Sequence, residues 1–597
     1  MFTSRVRDAP SRPHSRRGLG SSTTSHHHKL NHHRSHGTAT RWVQRAKASG
    51  ETDGEPSSTS SNNDDEENAS EQTLDAAIFA LALPAVASLL LDPVLGVVDT
   101  AFVGRIQGEG AAAALGGLAV STAVFNFSFK LFNFLAVVTG PLVASQIAQA
   151  NVENDSKDSK DSKYSTRAAA ADTVQGAMTI AVVLGVSACV ALELGADSVL
   201  RWAGGDGLVD PTGSIEGSRM MTEAESYLRV RALSAPAALI GTVAVGAYRG
   251  LLDTKTPLLV SGAANVVNLV LDPILIFGLG PVPAFGVAGA AAATTTAEWI
   301  AAVVFWQMLV KEGLLPGISL TGEKEGEKET ETETETEMES DNTSPDGIGG
   351  WFTALKPLAA GSASQLIRTL LLQAVLVRAT AEAAGAGAAG AHQICIQVWW
   401  VTLFALDALA VAAQSLVAAS LGAGDVISAR NAADRSLKWA LAAGTAVGVG
   451  IYAAGPLLPA LFTDDVELVE QASGPLQLVA LLQPLNAAVF VGDGVLQGAA
   501  DFDYLAVAMA ASATPALVLL GQVGEGVEAA IGAGASAEVV SVTALNGVWQ
   551  SMSALQLGRA MTLSWRYFWD KTGPVTLPEG TTEDAIEDTN AAKQNGE

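Results

Sequence analysis

The chain has 597 residues, of which 49% are hydrophobic and only 16% charged, and it contains 59 glycines. This is too apolar for a soluble enzyme of such length, and glycine and alanine are abundant, as they are where helices pack closely in lipid. The formal net charge of −26 points to no partner, because the acids concentrate in tails and loops rather than in one patch.

Residues 1–47 hold ten Lys or Arg against a single acid, Asp8, with no apolar core of the kind a secretory signal needs. Residues 1–50 therefore read as an organellar transit peptide. Seven of the eight histidines fall here (His14, His26, His27, His28, His32, His33 and His36), and a low-complexity targeting segment explains them better than a metal site. Residues 51–73 are acidic and rich in Ser and Asn, the composition of a disordered spacer.

Apolar segments begin at Leu74, and twelve follow: 76–104, 112–147, 168–195, 224–248, 256–278, 286–310, 352–378, 389–421, 431–461, 470–498, 504–523 and 530–558. Each can cross a bilayer core of about 30 Å as a helix. The last is the weakest, being rich in Gly and Ala and interrupted by Asn546 and Gln550. Residues 311–350, with the run EKEGEKETETETETEMES, form a charged low-complexity linker that cannot build a core. Residues 563–597 read as a disordered tail. The fold expected is all-α and membrane-embedded: twelve transmembrane helices in two pseudo-symmetric six-helix lobes, 74–310 and 351–562.

The halves are related in sequence. Pro84 aligns with Pro357 and Arg105 with Arg378 at an offset of 273, while Gly250 aligns with Gly498 and Asp253 with Asp501 at an offset of 248. The missing 25 residues match insertions in the first half, chiefly at 151–166 and 204–218. Two six-helix bundles of the same chain direction imply a pseudo-two-fold axis along the membrane normal. Loops on the side of the chain termini carry Lys157, Lys160, Lys163, Arg167, Arg249, Lys255, Arg430, Arg435 and Lys438, against Arg105, Arg201, Arg219 and Arg378 opposite. By the positive-inside bias, both termini face the cytosol, or the stroma in a plastid.

Ionisable groups inside the apolar runs single themselves out, because each costs several kcal/mol unless it faces a polar cavity or binds something. In 256–278, Asn265, Asn268 and Asp272 are spaced i, i+3, i+7 and share one helix face just before Pro273. Asp92 and Asp99 lie in the first segment and Glu298 in the sixth. In the second half, Asp407 and Gln414 share a face seven apart, and Asp493 lies between Gly492 and Gly494. For every one of these, a polar clamp between helices is the structural alternative. His392 reads more simply as a satisfied interfacial histidine than as a proton sensor. Cys189 and Cys395 sit in apolar segments with no ligand or redox spacing, and no GxxxxGK[ST], HExxH or GxSxG stretch occurs.

RGLLDTKTP…NVVNLVLDPILIFGLG…FGVAGAAAAT resembles the fifth and sixth helices of the multidrug and toxic compound extrusion (MATE) transporters, and VVDTAFVGR at 97–105 the end of their first. ALDALAVAAQ at 405–414 and FVGDGVLQGAADFDY at 490–504 are similar to the DinF-like branch, which includes plant organic-anion exporters. The resemblance spans roughly residues 75–565 and implies a secondary antiporter, not an enzyme. It also implies a coupling-cation site at Asp99, Asn268, Asp272 and Thr294. Pro84 then matches a position where the first helix bends, although a static kink explains it equally well. Asp407, Gln414 and Asp493 fall to substrate contact or a second coupling point. The expected partners are a small-molecule substrate and the lipid bilayer, with no nucleic acid, no metal and no cofactor beyond H+ or Na+ as coupling ion; the chain is expected to be a monomer. Lipid flippases of the same superfamily, which call for a strongly cationic cavity, and multipass membrane enzymes are the alternatives. Lys130 and Arg368 are among the few bases within the spans, and His392 is the one histidine there.

Overall fold

The computed structural model describes residues 62–103, 105–106, 111–154, 162–208, 215–316, 348–455, 457–462 and 465–576. The proposed transit peptide and residues 317–347 of the acidic linker lie outside these. The first half contains α1 (Asn62–Val103), α2 (Ala111–Phe132), α3 (Phe134–Asn154), α4 (Ser162–Leu208), α5 (Ile215–Ala232), α6 (Ala235–Gly250), α7 (Lys255–Phe277) and α8 (Val287–Lys311). The second contains α9 (Ile348–Gly385), α10 (Ala389–Gly422), α11 (Val426–Ala454), α12 (Leu457–Ala460), α13 (Val466–Gly498), α14 (Phe502–Gly532) and α15 (Ala537–Ser564).

Ten of these helices are long and apolar enough to cross a membrane, and α5 with α6 form an eleventh span bent by 51°. Pro236 opens the second arm of that bend, where its missing N–H costs nothing. The twelfth span is α15. Its apolar content is diluted because its inner face carries Gln556 and Arg559, both buried. A break at Asn133 separates α2 from α3, which together make the long second segment of the sequence.

Pseudo-symmetry is visible in the backbone. Among the described residues, Leu252 and Ala500 are the non-glycine residues with positive φ, at 57° and 56°, and they stand 248 apart. Each sits in the tight turn joining two spans, one residue before Asp253 or Asp501. Asp253 accepts from the N–H groups of Lys255 and Thr256 at 2.9 and 3.0 Å and so caps the start of α7.

The two ends of the folded core differ from the sequence expectation. The spacer 51–73 does not stay unstructured throughout: α1 starts at Asn62, and Glu71 and Asp75 pair with Arg435 of α11. Nor does the packed structure stop at 563. After α15 comes one π-helical turn, Trp565–Trp569, and the chain then folds back on the core as far as Thr576. Arg566 bonds Asp501 at 2.7 Å, the Tyr567 hydroxyl donates to Asp434 at 2.8 Å, and Val575 is fully buried. The Thr572 hydroxyl and N–H, together with Arg566, hold the carboxyl of Asp570 down at about 2.

Apolar clusters shared by both lobes lie on the side of the chain termini. They join Leu74–Ala82, Ala144, Ala148 and Leu252 to helices α10, α11 and α13, and Val138 and Leu309 to Leu358 and Phe502. Clusters towards the other side, around Val103 and Leu118 or around Val375 and Val548, are each confined to one lobe. Among the described residues, the apolar seal between the lobes is thus on the terminal side.

Candidate functional site

The polar face of α7 forms as its spacing requires. Asn268 and Asp272 are fully buried, while Val266, Leu269 and Val270 on the opposite face are 44–60% exposed and turned to lipid. The loop after α7 folds back on it: Phe285 and Gly286 donate to the carbonyls of Leu275 and Ile276 at 2.9 and 3.2 Å. Gly289 then lies directly on the Leu275 carbonyl, an approach no side chain would permit. This draws the start of α8 close enough for the Asn268 Nδ2 to donate to Thr294 Oγ1 at 2.9 Å.

Asp99, near the end of α1, is 9% exposed, and its carboxyl is an electrostatic neighbour of that of Asp272. The four residues that the resemblance singles out are therefore in one place. Four buried acceptor oxygens there have no donor: Asp99 Oδ1, Asp272 Oδ1 and Oδ2, and Asn268 Oδ1. Two carboxylates side by side in a low-dielectric pocket repel, and either a shared proton or a small cation relieves that repulsion. Among the described residues no group of three His, Cys, Asp or Glu is placed to hold a metal ion. The side chain of Asp92 lies outside the described residues.

Glu298 does not join this pair. Its two oxygens accept from Arg231 Nη1 and Nη2 at 2.9 and 3.0 Å. Arg231 is 7% exposed, also donates to Ser234 Oγ at 2.8 Å and stacks over Phe125 at 4.1 Å. The sequence reading missed Arg231. Its signal was a pair of bases, Arg229 and Arg231, in RVRALSAP, just ahead of the bend between α5 and α6.

In the second lobe, Asp493 is held by two arginines, Arg368 of α9 and Arg559 of α15, both binding its Oδ2. Arg559 Nη1 also donates to Gln556 Oε1 at 2.7 Å, and Gln556 Nε2 to Asn486 Oδ1 at 2.8 Å. Arg249 and Arg368 both act electrostatically on Asp407. The sequence names Arg368 as a base within the spans and Arg249 as a loop base, but does not show that they meet these aspartates. Gln414 is engaged elsewhere: its Nε2 donates to the Val137 carbonyl across the lobe seam at 3.0 Å. His392 lies fifteen residues before Asp407, about 22 Å along α10, with Nε2 3.4 Å from Thr380 Oγ1 and its ring 5.8 Å from that of Trp549. Pro84 and Pro93 sit inside α1, which remains helical through both. Cys189 and Cys395 are free thiols.

Comparison with known proteins accords with this architecture. The MatE family model matches residues 167–274 and 360–522. Over 445 residues the chain is 33% identical to Protein DETOXIFICATION 44, chloroplastic, of Arabidopsis thaliana, covering 72% of this chain and 73% of that one. The DNA damage-inducible protein F of Escherichia coli (strain K12) is 32% identical over 247 residues, 41% of this chain and 46% of the relative. A solved structure described as an outward-facing conformation of a multidrug resistance MATE family transporter of the MOP superfamily shares the fold. It has a TM-score of 0.61 at 17% identity, over 83% of this chain and 95% of that one. MATE in a bent conformation gives 0.61 at 17% identity, over 87% and 97%. With one relative a third identical over most of both chains, and twelve spans in two six-helix lobes, this chain belongs to the multidrug and toxic compound extrusion family of integral membrane transporters.

Proposed function

We propose that the protein is a secondary active antiporter, which exports small organic solutes in exchange for protons or sodium by alternating access. The observation that carries this reading is the convergence of donor-less buried oxygens from Asp99, Asp272 and Asn268. In this reading a cation enters the first lobe and joins the two carboxylates. Their mutual repulsion disappears, α1 shifts against α7, and the change passes to the lobe seam that α1 helps to form. Solute then leaves from the opened cleft. Organic anions and toxic amphipathic compounds are the solute classes to which the family resemblance points.

Flux in proteoliposomes under an imposed pH or sodium gradient tests the coupling. Asp272→Asn is expected to abolish gradient-driven efflux with membrane insertion intact, because the amide cannot take up the cation's charge. Full gradient-driven activity in that variant would falsify the assignment.

A plastid envelope location is proposed as well, supported by the basic, acid-poor residues 1–50 and by a chloroplastic relative. A fluorescent fusion of the full chain, compared with one lacking residues 1–50, would decide it; plastid targeting that survives the deletion would count against the transit peptide.

A further inference from the structure

The polar centres of the two lobes carry opposite charge. In the first, Arg231 is cancelled by Glu298, and the carboxylates of Asp99 and Asp272 remain. In the second, Arg368 on α9 and Arg559 on α15 both bind Asp493 on α13, and Asp407 on α10 feels the charges of Arg368 and of Arg249, which α6 brings in from the first lobe. Counting Arg249, three guanidiniums act on two carboxylates, an excess of one positive charge. The unpaired atoms have the matching sense. Where the first lobe has acceptors without donors, this cluster has donors without acceptors: Arg368 Nε, Arg559 Nε and Gln365 Nε2, all buried.

Gln365 and Arg368 are three apart on α9 and so lie on one face. Gln365 and Arg559 are each 2% exposed, while the Arg368 side chain is 14% exposed and gives the cluster an opening. A buried guanidinium is stable only when its donors are met, and its planar fork suits a carboxylate better than any neutral acceptor. The aspartate present meets both arginines through a single oxygen. One unit of excess charge is balanced by one carboxylate, whereas a phosphate dianion would overfill it.

We propose that Arg368 and Arg559, with Gln365, form the seat for a carboxylate group of the transported solute. The first lobe is then the cation lobe and the second the anion lobe. The proposal rests on the export reading above and selects, from the solute classes which that reading leaves open, the organic anions.

The test is equilibrium binding, which needs no coupling gradient. Full-length protein in lipid nanodiscs is titrated with benzoate, malate, inorganic phosphate or tetraphenylphosphonium at fixed pH and ionic strength, and binding is read as thermal stabilisation. Benzoate and malate are expected to stabilise saturably, and phosphate and tetraphenylphosphonium much less. Arg368→Gln is expected to weaken the carboxylates at least tenfold. Asp493→Asn, which removes the competing acceptor, is expected to tighten them several-fold, and it keeps the proposal testable if Arg368→Gln fails to fold. Unchanged carboxylate affinity in either variant overturns the assignment, as does wild-type protein that responds to tetraphenylphosphonium or phosphate but not to carboxylates. Because binding is read here without any gradient, loss of coupling and loss of the anion seat are separate results.

Discussion

Glu298 lies one turn beyond Thr294 on α8, close to the cation pocket, and it is Arg231 that keeps it out of the pocket's chemistry. The pair is bidentate, 8% exposed on the arginine side and 28% on the glutamate side. Glu298→Gln leaves a buried guanidinium with a neutral partner and is expected to cost about 3 kcal/mol, the low end for a broken buried pair because Glu298 is part-exposed. Thermal unfolding of the detergent-solubilised protein measures it, and a loss below about 0.5 kcal/mol would mean the pair is solvated like a surface one. At this scale the sequence was half legible. Asp272 and Asn268 declared themselves because lipid does not tolerate polar groups recurring on one face of an apolar helix unless something meets them. Arg231 with Glu298, and Arg368 with Asp493 and Arg559, did not: the partners are 67, 125 and 66 residues apart, and a linear pattern shows charges without showing which of them meet.

Between elements, the lobes are held by helix pairs whose spacing glycine sets, and the duplication preserved those contacts where it changed the site. Gly246 and Gly250 of α6 lie on Ala136 and Gly140 of α3, and their counterparts Gly494 and Gly498 of α13 lie on Ala410 and Gln414 of α10. A Cβ at Gly498 would stand 2.5 Å from the Gln414 carbonyl oxygen, so Gly498→Val must force α13 from α10. Overpacking of this kind costs about 1–3 kcal/mol or more, and here it also strains the Gln414 bond to Val137. Gly262→Ala on α7 is the control, since nothing lies within 4 Å of its added methyl, and helix propensity predicts a gain of about 0.5–1 kcal/mol there. Melting temperatures of the two variants should move in opposite directions; an unshifted Gly498→Val would refute the close-packing account. By contrast with these backbone contacts, the site residues have no counterparts: Asp272 pairs by offset with Leu520 and Asp493 with Val245. Twelve spans were legible because lipid demands apolar length. The twelfth was faint because polar residues lie on both faces of α15, Asn546 and Gln550 exposed and Gln556 buried.

In the whole molecule, the terminal side of the seam is fastened by Arg435, which binds Asp75 at 2.6 and 2.7 Å and Glu71 at 3.0 Å, with Trp439 donating to Asp75 at 2.7 Å. Gly422 of α10 abuts the backbone of Ser145 of α3, another contact between the lobes. A part-exposed bidentate pair contributes ~1.4 kcal/mol, a single tenfold step, to the balance between a closed and an open seam. Arg435→Gln is thus expected to raise the reaction of Ala418→Cys with a membrane-impermeant maleimide about tenfold, in a background with Cys189 and Cys395 replaced by alanine. Ala418 is fully buried in the seam, so a labelling rate unaltered by Arg435→Gln would show that this bridge does not hold it shut.

The same seam bears on what a half of this protein could do alone. By sequence the chain divides into two like modules at an acidic tether, yet α1 buries Leu74, Ala77, Ile78 and Leu81 against helices of the other module. A fragment ending at the tether would carry that stripe bare at the level where water begins, and its sister would lack the wall that α10 leans on. The ancestral duplication therefore no longer yields autonomous units: the first helix has become common property of both.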